Sequence, residues 1–284
     1  MGNDGGRSGP APARPPAGLA RRLGPSAGVG VLAGFLSGLF GVGGGILIVP
    51  GLVTLARMPQ RLAHGTSLAA IVPIALSGVA GYAVADAVDW PAAGLIALGA
   101  VWGALLGTRV LHAAHQDTLR IAFAAFLLLT ALRLLLVVPE ASGRGELTVP
   151  LALALVGLGL VSGTLAGLLG VGGGIVIVPA LVVLFSVPDA VAKGTSLLVI
   201  VPTATAGTVS NVRRGNADLP VAATVGLFGV ASAFGAAALS VDLDPAVSSV
   251  LFGLLLVAVA TRMLRRRGRD REPRPTIPAE GGDV

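Results

Sequence analysis

Cysteine is absent from all 284 residues, which removes disulfides, thiolate metal sites and thiol relays from the chemistry open to this chain. Charge is scarce too: Asp, Glu, Lys and Arg make up 12% of the residues, about half the soluble average. Those charges collect at the ends of apolar stretches and in the two tails. No Asp, Glu, His or Lys is expected well inside an apolar segment, so neither a buried proton relay nor the acid, base or paired nucleophile of a membrane-embedded enzyme is apparent. There is no Walker lysine motif. The GVGGG strings lack the last glycine of the dinucleotide fingerprint and lie in apolar runs, which excludes a nucleotide site. His64, His112 and His115 fall at loop edges without supporting carboxylates or thiolates and read as solvated. No catalytic residue, cofactor or metal is therefore expected.

Apolar length is what the chain has instead. Apolar residues make up 54% of it and the mean hydropathy is +0.87, far above a soluble domain. A spanning helix needs about 20 apolar residues. Charges and prolines cut the middle of the chain into eight apolar segments: Ala27 to Ala56, Leu62 to Ala85, Ala92 to Leu111, Leu119 to Val138, Val149 to Phe185, Val191 to Val212, Pro220 to Leu239 and Pro245 to Leu264. The expected class is an all-α integral membrane protein. A net charge of +6 would suggest nucleic acid in a soluble protein, but arginines flanking apolar segments meet anionic headgroups first, so the bilayer and not nucleic acid is the expected partner. Residues 1–26 read as a disordered cytoplasmic tail, 27–138 as a first membrane repeat, 139–148 as an external linker, 149–264 as a second membrane repeat and 265–284 as a basic cytoplasmic tail. Tyr82 and Trp90 read as interfacial anchors.

The two repeats are legible directly. Gly34 to Pro91 aligns without a gap on Gly163 to Pro220 at an offset of 129, LSGLFGVGGGILIVPGLV matching LAGLLGVGGGIVIVPALV and HGTSLAAIVP matching KGTSLLVIVP. A duplicated four-segment unit is a recurrent plan for secondary transporters. With its doubled GVGGGxxxVP element (Gly41 to Pro50, Gly170 to Pro179) and the GTSL elements at Gly65 and Gly194, the chain resembles the sulfite exporter TauE/SafE family of membrane permeases from Ala27 to Leu264. The resemblance implies a multi-pass permease of the bacterial plasma membrane, which in some members exports sulfite or sulfur-containing organic anions.

Segments one and five are long enough to be re-entrant hairpins tipped by glycine. With all eight segments crossing, basic flanking residues divide poorly between the two sides; with two hairpins they divide roughly twelve inside to three outside. Each repeat then crosses three times, and an odd number inverts the second repeat relative to the first. Both termini fall in the cytoplasm. Gly41, Gly43, Gly44 and Gly45, with Gly170, Gly172, Gly173 and Gly174, would form two tips whose following helices offer free amides and roughly half a positive charge each to a small oxyanion. Thr66, Ser67, Thr195 and Ser196 could cap a helix start or donate hydroxyls to that anion, and Pro50, Pro73, Pro179 and Pro202 would kink helices. Thr203, Thr205, Thr208, Ser210 and Asn211 make the sixth segment polar enough to line a pathway. The expected activity is alternating-access transport of a small anion, by resemblance sulfite or a sulfur-containing organic anion. The alternative, a passive anion channel, draws on the missing titratable groups. A homo-oligomer is compatible with everything above.

Overall fold

The structure is a computed structural model, and it describes residues 17–110, 116–136, 143, 145–169 and 173–269. Among these the chain is entirely helical: α1 (Ala17–Phe40), α2 (Gly45–Thr54), α3 (Gln60–Val84), α4 (Trp90–Val110), α5 (Gln116–Leu136), α6 (Val149–Leu169), α7 (Gly174–Leu184), α8 (Asp189–Arg213), α9 (Leu219–Val241) and α10 (Pro245–Arg269). Segments one and five each become two helices because their glycines interrupt them. Gly41, Gly43 and Gly44 have φ of 69°, 78° and 71°, in the left-handed region that an L side chain enters only at a cost of about 1 to 2 kcal/mol. α1 begins at Ala17, inside the stretch expected as tail. α10 runs on to Arg269, past the expected end at Leu264, since arginine is a good helix former.

Helix directions follow from close approaches between helices. Gly30 and Gly34 of α1 meet Val225 and Gly229 of α9, in rising order on both helices. Along α3, Ile74 meets Gly229 and Gly81 meets Phe234, again in rising order. Hence α1, α3 and α9 are parallel, and the short α2 brings the chain back between α1 and α3. Its return is visible in side-by-side contacts of Gly44 with Ala33 and of Gly51 with Val29. Gly159 and Gly163 of α6 meet Ile96 and Ala100 of α4, the same contacts moved by the offset of 129. A Cβ at Gly30, Gly34, Gly159 or Gly163 would overlap a backbone carbonyl of the facing helix, which is why these two seams are built from glycine.

The repeats meet head to tail. Gly78 of α3 touches Leu197 of α8, and Gly207 of α8 touches Leu68 of α3. These contacts exchange when 129 is added or subtracted, so a pseudo-two-fold axis relates antiparallel α3 and α8. Among the described residues, six helices are long and apolar enough to cross a membrane: α1, α3, α6, α8, α9 and α10. α2 and α7, of 10 and 11 residues, are about 15 to 17 Å long, half of a hydrocarbon core of about 30 Å. Leu129, Leu153 and Leu227 are 69%, 68% and 72% exposed, and such an outer surface requires an apolar solvent.

Candidate functional site

The tip of the first hairpin lies where the repeats meet. Gly43 rests against Ile71 and Ile200, near the middle of α3 and of α8. Gly41 abuts the backbone of Lys193, and the Ser196 hydroxyl donates to the Gly41 carbonyl at 2.9 Å. From the second hairpin, a Cβ built on Gly174 would lie 2.7 Å from the Gly41 oxygen and 2.9 Å from Ser196 Oγ. Both tips thus converge on one buried place, next to the GTS element of α8. Gly173 has φ of 72°, matching Gly44 in its own repeat. Gly170 and Gly172 lie outside the described residues.

Each tip opens a helix. Leu47 and Ile48 both donate to the Gly44 carbonyl, and Val176 and Ile177 to that of Gly173. The amides just before these, Gly45 and Ile46 in one helix and Gly174 and Ile175 in the other, reach no backbone carbonyl among the described residues. Buried orphan amides cost free energy unless something accepts from them. Two further polar groups are unpaired in the same interior: Ser37 Oγ and Ser67 Oγ are buried without a hydrogen-bond partner. Ser67 is the repeat-one counterpart of Ser196.

The threonines of the two GTS elements do something other than cap or face the tips. Thr66 Oγ1 accepts from the Asp218 amide and Thr195 Oγ1 from the Asp89 amide, each at 2.9 Å. These are one hydrogen bond repeated by the pseudo-two-fold, and each pins the turn that leaves the opposite repeat's long helix. Prolines, not threonines, occupy the caps of α3 and α8. Pro50, Pro73, Pro179 and Pro202 all lie inside helices that continue through them. Thr203, Thr205 and Thr208 donate to carbonyls of their own helix, and so does Asn211, the usual arrangement of such groups in an apolar helix.

Three expectations are corrected. Lys193 is not at a solvated edge: it is fully buried, with Nζ 2.7 Å from Asp189 Oδ2, 2.6 Å from Ser248 Oγ and 3.0 Å from Ser240 Oγ. Its position four residues into α8 looked peripheral by counting, but α9 and α10 cover that end. Tyr82 is buried and donates to the Gly38 carbonyl at 2.6 Å, so it ties α3 to α1 instead of anchoring an interface. His64 lies within α3, half-buried; His112 and His115 lie outside the described residues. The only sequence signal for the lysine was that it is the single lysine of the chain and stands where repeat one has His64.

Comparison with known proteins gives a consistent result. A family model described as "Sulfite exporter TauE/SafE" matches residues 7–134 and 153–282. The Bacillus subtilis protein named "Probable membrane transporter protein YunE" is 31% identical over 216 residues, covering 67% of this chain and 78% of that protein. A Xylella fastidiosa (strain Temecula1) protein named "Probable membrane transporter protein" is 27% identical over 252 residues, covering 84% of this chain and 94% of its own length. A Methanocaldococcus jannaschii protein, "Probable membrane transporter protein MJ0441", is 31% identical over 163 residues, 54% of this chain and 59% of that protein.

Proposed function

Since the chain belongs to the sulfite exporter TauE/SafE family of membrane transporters, we propose that it carries a small anion, sulfite or a sulfur-containing organic anion, across the bacterial plasma membrane by alternating access. One observation carries this reading: the two glycine tips meet in the interior, with Gly174 against Gly41 and Ser196, and each starts a helix whose first amides have no backbone acceptor among the described residues. Two helix starts of about half a positive charge each approximate one elementary charge in a low-dielectric interior. Such amides suit an oxyanion, which accepts several hydrogen bonds at once. No carboxylate is described at the tips to repel it. Ser67 Oγ adds a buried group in search of a partner.

The parallel course of α1 and α3 supports re-entrant hairpins. If both cross, the chain enters the bilayer twice from one side, leaving three net crossings per repeat and an inverted second repeat. Inverted repeats around a midplane site can exchange conformations, which opens the site to either side in turn. The passive-channel alternative loses its ground, because it drew on an interior without titratable groups and the Lys193–Asp189 pair is one. Flux into proteoliposomes of purified protein, measured for sulfite, thiosulfate, sulfate, isethionate and small carboxylates, tests the proposal. Saturable transport of at least one sulfur oxyanion is expected. Saturable transport of a neutral sugar or a cation, unaffected by every anion in the panel, refutes it.

A further inference from the structure

The buried cluster on α8 has no task in the transport cycle as drawn so far. An ammonium has three protons to donate, and Asp189, Ser248 and Ser240 take all three of Lys193. Ser248 Oγ also donates to Asp189 Oδ2 at 2.6 Å, and Ser240 Oγ to the Leu39 carbonyl at 3.0 Å. The two charged residues differ in access. Lys193 is sealed, whereas Asp189 keeps 17% of its side chain exposed and lines a cavity of about 350 Å³ together with Ser240, Ser249 and Leu243. The lysine backbone, in turn, presses on Gly41: a Cβ there would lie 2.7 Å from Lys193 Cα. One side chain therefore separates the glycine tip from a carboxylate in contact with the cavity. Repeat one has nothing comparable, since the same offset puts Gln60, His64, Leu111 and Leu119 at the positions of Asp189, Lys193, Ser240 and Ser248.

We propose that Asp189 and Lys193 form a proton-coupling site: the cargo anion replaces the carboxylate as counterion of the Lys193 ammonium, and the released Asp189 carboxylate takes up one proton from the cavity. The proposal rests on the reading of the chain as an anion carrier. The reason is charge balance. The buried pair is neutral; an anion alone would leave two negative charges against one positive in a medium that solvates neither, while an anion with a proton restores neutrality. Anion and proton consequently bind together and, by linkage, each strengthens the other. On release the anion leaves, Lys193 recaptures the carboxylate, and the proton departs to the same side. The groups facing the pair are Tyr82 from α3, Ser240 from α9 and Ser248 from α10; the α9–α10 turn beside the cavity carries Asp242 and Asp244, both exposed.

Proteoliposome uptake of sulfite and of isethionate, a sulfonate that stays anionic across the range used, tests this at graded pH and under an imposed proton gradient. In the unaltered protein the apparent affinity for isethionate should fall about tenfold for each unit of rising pH, the slope of one obligatory proton, and an inward proton gradient should drive accumulation. Asp189→Asn keeps an acceptor for Lys193 and should still carry anions downhill, without the gradient's drive and with affinity flat in pH. Asp242→Asn should keep the drive. Because Asp189→Asn leaves a buried charge unpaired, Asp189→Asn combined with Lys193→Met guards against a folding failure: neutral and folded, it should lose the rise in thermal stability that isethionate gives the unaltered protein. Anion flux without pH dependence in the unaltered protein, or full gradient drive in Asp189→Asn, overturns the coupling site alone. No flux of any anion in the unaltered protein removes the carrier reading itself.

Discussion

Glycine and serine side by side show how differently residues at the tips are constrained. Gly44 is held twice, by φ of 71° and by a carbonyl of Ala33 that would lie 2.8 Å from any Cβ, whereas Gly173 has the same φ but only ordinary contacts around it. Gly173→Ala should therefore cost about 1 to 2 kcal/mol of backbone strain, and Gly44→Ala more. Ser67 offers a cleaner probe. Its hydroxyl is buried and unpaired, so Ser67→Ala should leave thermal stability in detergent unchanged or raise it by the equivalent of about 1 kcal/mol. If the hydroxyl serves the anion, the same variant should weaken substrate affinity several-fold. Gly235→Ala, where the space is open, is the neutral reference. Unaltered affinity in both Ser67→Ala and Gly173→Ala would mean that the tips are structural joints and that the anion binds elsewhere.

At the scale of the element, the half-length helices are where the proposed topology can be tested. α2 and α7 are too short to cross, and α2 folds back along α1 from Gly44 at Ala33 to Gly51 at Val29. The absence of cysteine makes single-cysteine labelling free of background. Gly24→Cys at the start of the span of α1 and Gln60→Cys at the start of α3, both exposed, should react with an impermeant maleimide from the same side of the membrane. Ala85→Cys, exposed at the far end of α3, should react from the other. Labelling of the Gly24 and Gln60 positions from opposite sides would replace the hairpin with a full crossing. Thr66 and Thr195 belong to this scale as well, because each fastens the turn after the opposite long helix and so locks the two repeats to one another.

For the whole molecule, the pseudo-two-fold relates the α1–α9 and α4–α6 seams, the α3–α8 contact and the two threonine bonds, and the Lys193 cluster has no counterpart in repeat one. Two states that exchange the conformations of identical repeats would be equal in energy, so an asymmetric ion pair is a natural place to bias them. Orientation in the bilayer follows from the arginines. Arg21 and Arg22 precede the first span, and Arg262 and Arg265 to Arg267 close the last, so the positive-inside rule predicts both ends in the cytoplasm. A fluorescent protein fused to either end should fluoresce in cells, and alkaline phosphatase fused to either end should stay inactive. Active phosphatase at one end would give an odd number of crossings and contradict a pair of matched inverted repeats.

What the sequence determined by itself is whatever depends on local composition and on repetition. Apolar runs fixed the solvent and the helical class, since an unpaired backbone is intolerable in lipid; the offset of 129 revealed the two units; and GVGGG marked the helix breaks, because consecutive glycines in the left-handed region leave no helical hydrogen bonds. Tertiary structure decided which distant groups meet. Counting residues put Lys193 and Tyr82 near a membrane edge, and only the cover of α9 and α10 over the start of α8, and the crossing of α1 with α3, buried them. Partner identity was hidden for the same reason: Thr66 meets Asp218, Ser196 meets Gly41 and Asp189 meets Ser248, pairs 152, 155 and 59 residues apart. Burial and pairing at such separations are properties of how helices cross in three dimensions, and no local period in the chain encodes that angle.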